Sequence, residues 1–197
     1  MHILDRRFLA KKYFTEPLYK DHILTLELFT ENYKSFYLHK PGTRIDSVHI
    51  TESAGHLCIY GDLCPNDNRG VVSNPGYQIP WFSKPLSVGY MCSKFMCTEW
   101  NADTAEHELQ ELLDEAEEYD FSEKEREDIT ELIENIHDSS EEILCNDLWA
   151  IDLGYLLDDG TPGWGYNLRD AAILSAINVK FSKCFEEQNV IELYGLL

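Results

Sequence analysis

Seven histidines and six cysteines supply the side chains from which a metal centre or a nucleophilic site would be built. His49, His56, Cys58, Cys64, Cys92 and Cys97 fall within one stretch of the chain. Zinc takes four nitrogen or sulfur ligands, usually as two close pairs. The spacings here are His-x6-His, His-x-Cys, Cys-x5-Cys and Cys-x4-Cys, with no C-x2-C. His56 and Cys58 would share a face on a strand, where side chains alternate with period two. A core thiol and a surface imidazole account for the same residues, so no metal and no cofactor is expected. A cysteine nucleophile needs an adjacent base, and spacing selects none of the possible Cys–His pairs.

Other chemistries lack their signatures. There is no G-x-S-x-G elbow for serine hydrolysis, and neither G-x-G-x-x-G nor a G-x4-G-K-[ST] loop for phosphate. Paired carboxylates for glycoside hydrolysis carry no information in a chain this rich in acids. Asp158, Asp159 and Gly160 run into Pro162-Gly163-Trp164, which reads as a turn rather than a calcium loop with its final Glu. No catalytic residue is therefore expected. Trp81 and Trp164 are expected in Gly- and Pro-rich loops and are candidate interface anchors.

Charge carries the strongest signal. The 197 residues hold 16 Lys+Arg against 36 Asp+Glu, a net charge of -20. Residues 101–160 contain 22 of the acids and only two bases, Lys124 and Arg126. The other 137 residues balance at 14 of each. A nucleic-acid backbone and an anionic membrane surface both require cationic contacts, so direct binding to either is not expected. An acid follows two apolar residues at the N-terminus, and no run approaches the length of a membrane span, so no signal peptide is expected and a cytoplasmic location is. The cysteines then read as reduced thiols.

The elements that must position these residues follow from periodicity. Residues 101–160 read as an acidic helical insertion. Ala105, Leu109, Leu112, Leu113 and Ala116 line one face of a first helix, capped by Asp103 with Glu106 three residues on. Ser122-x-x-Glu125 is a capping box for a second helix with Ile129, Leu132, Ile133 and Ile136 inward. Tyr119-Asp120-Phe121 makes the two an antiparallel hairpin. Ser139-x-x-Glu142 opens a third helix. Residues 1–100 and 161–197 read as a neutral α+β body. Its predicted parts are a short basic helix over 3–13, a helix over 21–33, strands over 35–39, 44–51, 57–60 and 70–73, and a helix over 88–95. A long helix from Leu168 to Glu187, capped by Asn167, closes the body. The fold class is α+β: a small antiparallel sheet packed by a long C-terminal helix, with an acidic helical hairpin inserted.

On those helices the acids crowd the outward faces. Glu108, Glu111, Asp114, Glu115 and Glu118 mark the first, and Glu127, Glu131 and Glu134 the second. Like charges at i,i+4 destabilise an isolated helix by about 0.2–0.5 kcal/mol per pair. These acids, with Trp81 and Trp164, are the candidate partner-binding residues. Carboxylates on a helix can sit about 5–6 Å apart, similar to phosphates along a strand.

The stretch Ser47-Val48-His49-Ile50-Thr51 and His56-Leu57-Cys58-Ile59-Tyr60-Gly61-Asp62-Leu63, followed by Trp81-Phe82, Tyr90 and Lys94-Phe95, resembles a group of uncharacterised phage and prophage proteins. The resemblance covers about 50 residues and implies an origin on a mobile element. It carries no catalytic residues. Small acidic phage proteins often antagonise host enzymes. The expectation is a non-enzymatic inhibitor, of anti-CRISPR or anti-restriction type, whose partner is a basic, nucleic-acid-binding host protein; a homodimer is compatible with it. The alternatives are a small enzyme with a site between sheet and long helix, and an immunity protein for a basic nuclease toxin.

Overall fold

A computed structural model of the chain describes residues 4–13, 15, 18–43, 47–62, 70–72 (backbone only), 78–115, 121–151, 153–154, 162–188 and 190. In chain order the helices are α1 (Arg6–Lys12), α2 (Ile79–Phe82), α3 (Val88–Phe95), α4 (Ala102–Asp114), α5 (Glu123–Asn135), α6 (Glu141–Ala150) and α7 (Leu168–Glu187). The strands are β1 (Ile23–Phe29), β2 (Tyr33–His39), β3 (Val48–Ser53), β4 (His56–Gly61), β5 (Gly70–Val72), β6 (Glu99–Trp100) and β7 (Trp164–Gly165). Two compact units emerge: Met1–Cys97 with Arg169–Leu197, and Thr98–Leu168. The architecture is α+β, as the sequence pattern predicts, with a long C-terminal helix and an antiparallel sheet.

In the first unit β1 to β5 form an antiparallel meander in sequence order. Ala54 and Gly55, both at positive φ, make the two-residue turn that sets Ser53 opposite His56. Such turns match the right-handed twist of the strands they join. Alternation puts Phe36, Leu38, Val48, Ile50, Leu57 and Ile59 on one side, all buried. Against them α7 lays Leu174, Ile177, Phe181 and Phe185. Phe36 meets Phe181 edge-on at 5.8 Å and Phe185 at 5.8 Å, and Phe82 from α2 meets Phe181 at 5.7 Å. Offset and edge-on aromatic pairs add about 0.5–1.5 kcal/mol beyond area burial.

The helix expected over 21–33 is instead strand β1 and its turn into β2. Leu24 and Leu28 have helical spacing, but Leu24 also alternates with Thr25, and β2 supplies an antiparallel partner strand along its length. Pairing runs from Ile23–His39 to Phe29–Lys34, with a bulge between Leu26 and Leu28. Tertiary pairing overrides the helix preference of leucine here.

In the second unit α4, α5 and α6 bury Ala105, Leu109, Phe121, Ile129, Ile136, Leu144, Leu148 and Leu153 together. Glu106, early in α4, meets His137, just past the end of α5, at 3.2 Å, so these two helices run antiparallel. The capping box at Ser122 and Glu125 is present with both of its bonds. The expected caps elsewhere are displaced by one or two residues. Asn101, not Asp103, accepts from Thr104 N at the start of α4. Ser140, not Ser139, accepts from Ile143 N at the start of α6. The ribbon of β6 and β7 has no counterpart in the sequence reading; it pairs Trp100 with Trp164.

Candidate functional site

Four of the six acids of α5 fall on one stripe. Glu123, Glu127, Glu131 and Glu134 are spaced by four, four and three residues, and all are exposed. At 1.5 Å per residue the stripe is about 16 Å long. None of the four has a cation partner among the described residues. Ile129 points to the opposite side and is fully buried, so the apolar face fixes the direction of the acidic one. An acid-lined groove, with Asp128, Glu131 and Asp147, separates α5 from α6.

The acids of α4 are more engaged. Glu108 is half-buried, and its Oε2 accepts from Gly163 N at 2.7 Å. That carboxylate holds the β7 end of the unit. Glu111 and Asp114 are exposed; Glu111 lies 3.2 Å from His107, and Asp114 accepts from Gln110 Nε2 at 3.1 Å. Glu115 is exposed at the helix C-cap. Glu118 lies outside the described residues, as do Asp158, Asp159 and Gly160.

The two tryptophans stand in different settings. Trp81 belongs to α2, not to a loop. It is half-buried against Phe82, Tyr90 and Phe95, with ring centres at 6.2, 5.9 and 6.1 Å. Trp164 is 51% exposed in β7, and its Nε1 donates to Glu141 Oε1 at 2.7 Å. It lies in the same unit as the acidic helices; Trp81 lies in the other.

The zinc set is not assembled. His49 packs between Tyr37 and Tyr60 and contacts Glu27 at 3.2 Å. His56 and Cys58 do share the outer face of β4, Cys92 is buried in α3, Cys97 is exposed, and Cys64 is outside the described residues. Among the described residues the three metal-capable groups that come together are instead Asp103, Glu106 and His137, at the surface. No cysteine whose acidity is displaced is activated. Burial pushes Cys58, Cys92 and Cys184 up, Cys92 to about 12, whereas a nucleophilic thiol needs the opposite shift.

One arrangement escaped sequence reasoning. On the outer face of the sheet His39, Tyr37, His49 and Tyr60 stack in series, with ring centres 4.5, 4.5 and 4.9 Å apart. Glu27, in the β1 bulge, accepts from Ser35 Oγ at 2.8 Å beside His49. Burial, then the neighbouring Tyr33, Cys58 and Glu27, raise the Tyr60 phenol above its ordinary value. Alternating aromatics on β2, β3 and β4 were the available signal; the register that brings them into line is tertiary.

No described helix is long and apolar enough to cross a membrane. The chain matches no protein-family model, no curated protein and no solved structure.

Proposed function

We propose that this chain is a binding protein whose acidic helical unit docks on a basic surface of another protein, and that the surface is a nucleic-acid groove. The α5 stripe carries this reading: four exposed glutamates on one helix face, with no cation partner among the described residues. Glu123, Glu127 and Glu131 follow each other at i,i+4, the spacing at which like charges cost about 0.2–0.5 kcal/mol per pair. Solubility alone is served by mixed charge, which avoids that cost. A basic partner relieves the repulsion and replaces it with attraction. Neighbouring carboxylates about 6 Å apart on a helix approximate the spacing of backbone phosphates. Such a surface speeds association, makes it sensitive to salt and competes with the natural polyanion. Trp164, exposed beside Glu141, supplies an aromatic anchor in the same unit. The phage resemblance of the sheet segment favours an inhibitor of a host nucleic-acid enzyme, of anti-CRISPR or anti-restriction type.

The test is affinity capture from nuclease-treated bacterial lysate with stepped salt elution. Wild type is compared with a variant carrying Glu123→Gln, Glu127→Gln, Glu131→Gln and Glu134→Gln. All four side chains are exposed, so the variant keeps its core. Recovery of a nucleic-acid-binding protein on wild type alone, released as salt rises, supports the proposal. Capture of the same proteins by both chains refutes it.

A further inference from the structure

The side of α7 turned away from the sheet borders a cleft. Ala172, Ser175, Ala176, Val179 and Lys183 recur at helical spacing along its floor, and α1 and the turn through Tyr19 and Lys20 wall it. Its volume is about 390 Å³, within the range of about 300–1,000 Å³ typical of small-molecule sites. The sheet-facing side of α7, by contrast, is filled by Phe181 and Phe185.

The charge of this cleft opposes that of the chain. Arg6, Arg7, Lys20, Lys180 and Lys183 line it, and among the described residues no carboxylate does. Five of only 16 Lys+Arg therefore face one cavity in a chain with 36 acids. No described carboxylate in the cleft neutralises them. Glu187 stands 3.8 Å from Lys183 at the solvent side, where both are well exposed. Arg6 Nη2 donates to Leu86 O at 2.6 Å, and Lys180 Nζ to Lys20 O at 3.0 Å. Bonds to neutral carbonyls orient these cations and leave their charge in place. Asn178, fully buried in α7, holds the segment that presents Leu86: its Nδ2 donates to Phe82 O and Lys84 O, and its Oδ1 accepts from Leu86 N. Burial lowers Arg6 from its ordinary value by desolvating the charged form.

A second observation points the same way. Ser175 is 3% exposed, and its hydroxyl has no hydrogen-bond partner among the described residues. Buried hydroxyls are normally paired. Ser182, two turns along α7, is paired in the usual manner, donating to Asn178 O at 2.7 Å. The Ser175 hydroxyl lies in the lining of the cleft as a donor with no partner among the described residues.

We propose that this cleft binds a small organic phosphate. A phosphate offers only acceptors and carries up to two negative charges, which suits several cations and one hydroxyl donor better than a single carboxylate does. Arg6, Lys180 and Ser175 receive the phosphate oxygens, and Ala172, Ala176 and Val179 receive an apolar body. The site belongs to the first unit and does not depend on the acidic surface of the second.

The experiment is an amide chemical-shift titration of the full chain with phenyl phosphate, inorganic phosphate and phenol. Phenyl phosphate is expected to shift residues 6–12 and 172–183 and to bind about tenfold more tightly than either fragment. Lys180→Gln weakens it about tenfold, as does Lys183→Gln, whose exposed side chain leaves the fold unaffected. Ser175→Ala weakens it several-fold while leaving the melting temperature unchanged or raised, a split that a purely structural serine does not give. Absence of shifts in these segments overturns the proposal, as does affinity unchanged in all three variants. Inorganic phosphate bound as tightly as phenyl phosphate overturns the assignment of an organic ligand.

Discussion

Lys34 Nζ lies 2.7 Å from Glu52 Oε1, with the two residues directly opposite each other on the core side of β2 and β3. Both side chains are only 7% exposed. Glu52 uses its other oxygen to accept from Ile79 N at 2.9 Å, where α2 begins. The pair therefore ties the sheet to the helix that carries Phe82 into the core. Removing one partner leaves a buried charge without its counter-charge, which costs about 3–5 kcal/mol. Lys34→Met should lower stability by that amount in urea unfolding. Lys34→Met with Glu52→Gln should recover much of the loss, because the amide oxygen still accepts from Ile79 N. A single-variant cost below about 1 kcal/mol, the range of exposed pairs, would contradict this role.

The second unit depends on a glycine. Gly163 has φ near +102°, and a Cβ there would come within 2.6 Å of Trp100 Nε1 and 2.9 Å of the Ala105 Cβ. Its N–H is bonded to Glu108 and its C=O to Asn101 N. Gly163→Ala should destabilise the helical unit by about 1–3 kcal/mol or more. Loss of helical circular dichroism at lower urea checks it, while reporters in the sheet unit should be little changed.

The α5 cap makes the second unit sensitive to acid. Hydrogen bonds from the Ser122 hydroxyl and backbone N–H hold the Glu125 carboxyl below its ordinary value of 4.5. A carboxyl lowered by folding stabilises the native state above its unfolded value, and that contribution is lost as pH falls through the folded value. Ser122→Ala should reduce stability at neutral pH and flatten this part of the profile. Melting temperatures of both chains between neutral pH and pH 3 measure it, and parallel profiles would refute the assignment.

Cysteine reactivity should follow burial. Cys92 is fully buried and its thiol is pushed up to about 12, so folding favours the protonated form. That preference is in place below pH 9 and is lost as pH rises from there towards 12. In alkylation followed by mass spectrometry, exposed Cys97 should react first and Cys92 only on unfolding. Labelling of Cys92 at the rate of Cys97 in the folded chain would contradict the buried placement.

Local signals were read where one element suffices. Ser122 and Glu125, the inward face through Ile129 and Ile136, and the length of α7 follow from spacing alone. Residues 21–33 are ambiguous because Leu24 and Leu28 fit a helix as well as a strand; only the neighbouring β2 decides. Asp103 and Ser139 lost their capping roles to Asn101 and Ser140, since several good cap residues stand side by side and the sequence does not rank them. Glu108 has the spacing of a free surface acid, because its partner, Gly163 N, is 55 residues away. The aromatic series through Tyr37 and His49 and the cationic cleft at Arg6 and Lys180 depend on contacts between distant segments, which periodicity does not encode.

The central claim is that the α5 glutamates occupy a nucleic-acid groove on a partner. Competition tests it most directly. The immobilised full chain is loaded from nuclease-treated bacterial lysate and washed with rising concentrations of a short duplex. Wild type should release its bound protein to the duplex as it does to salt, and the chain with Glu123, Glu127, Glu131 and Glu134 changed to Gln should retain none of it. Retention of the same protein by both chains, or a complex that the duplex fails to displace, would contradict the account.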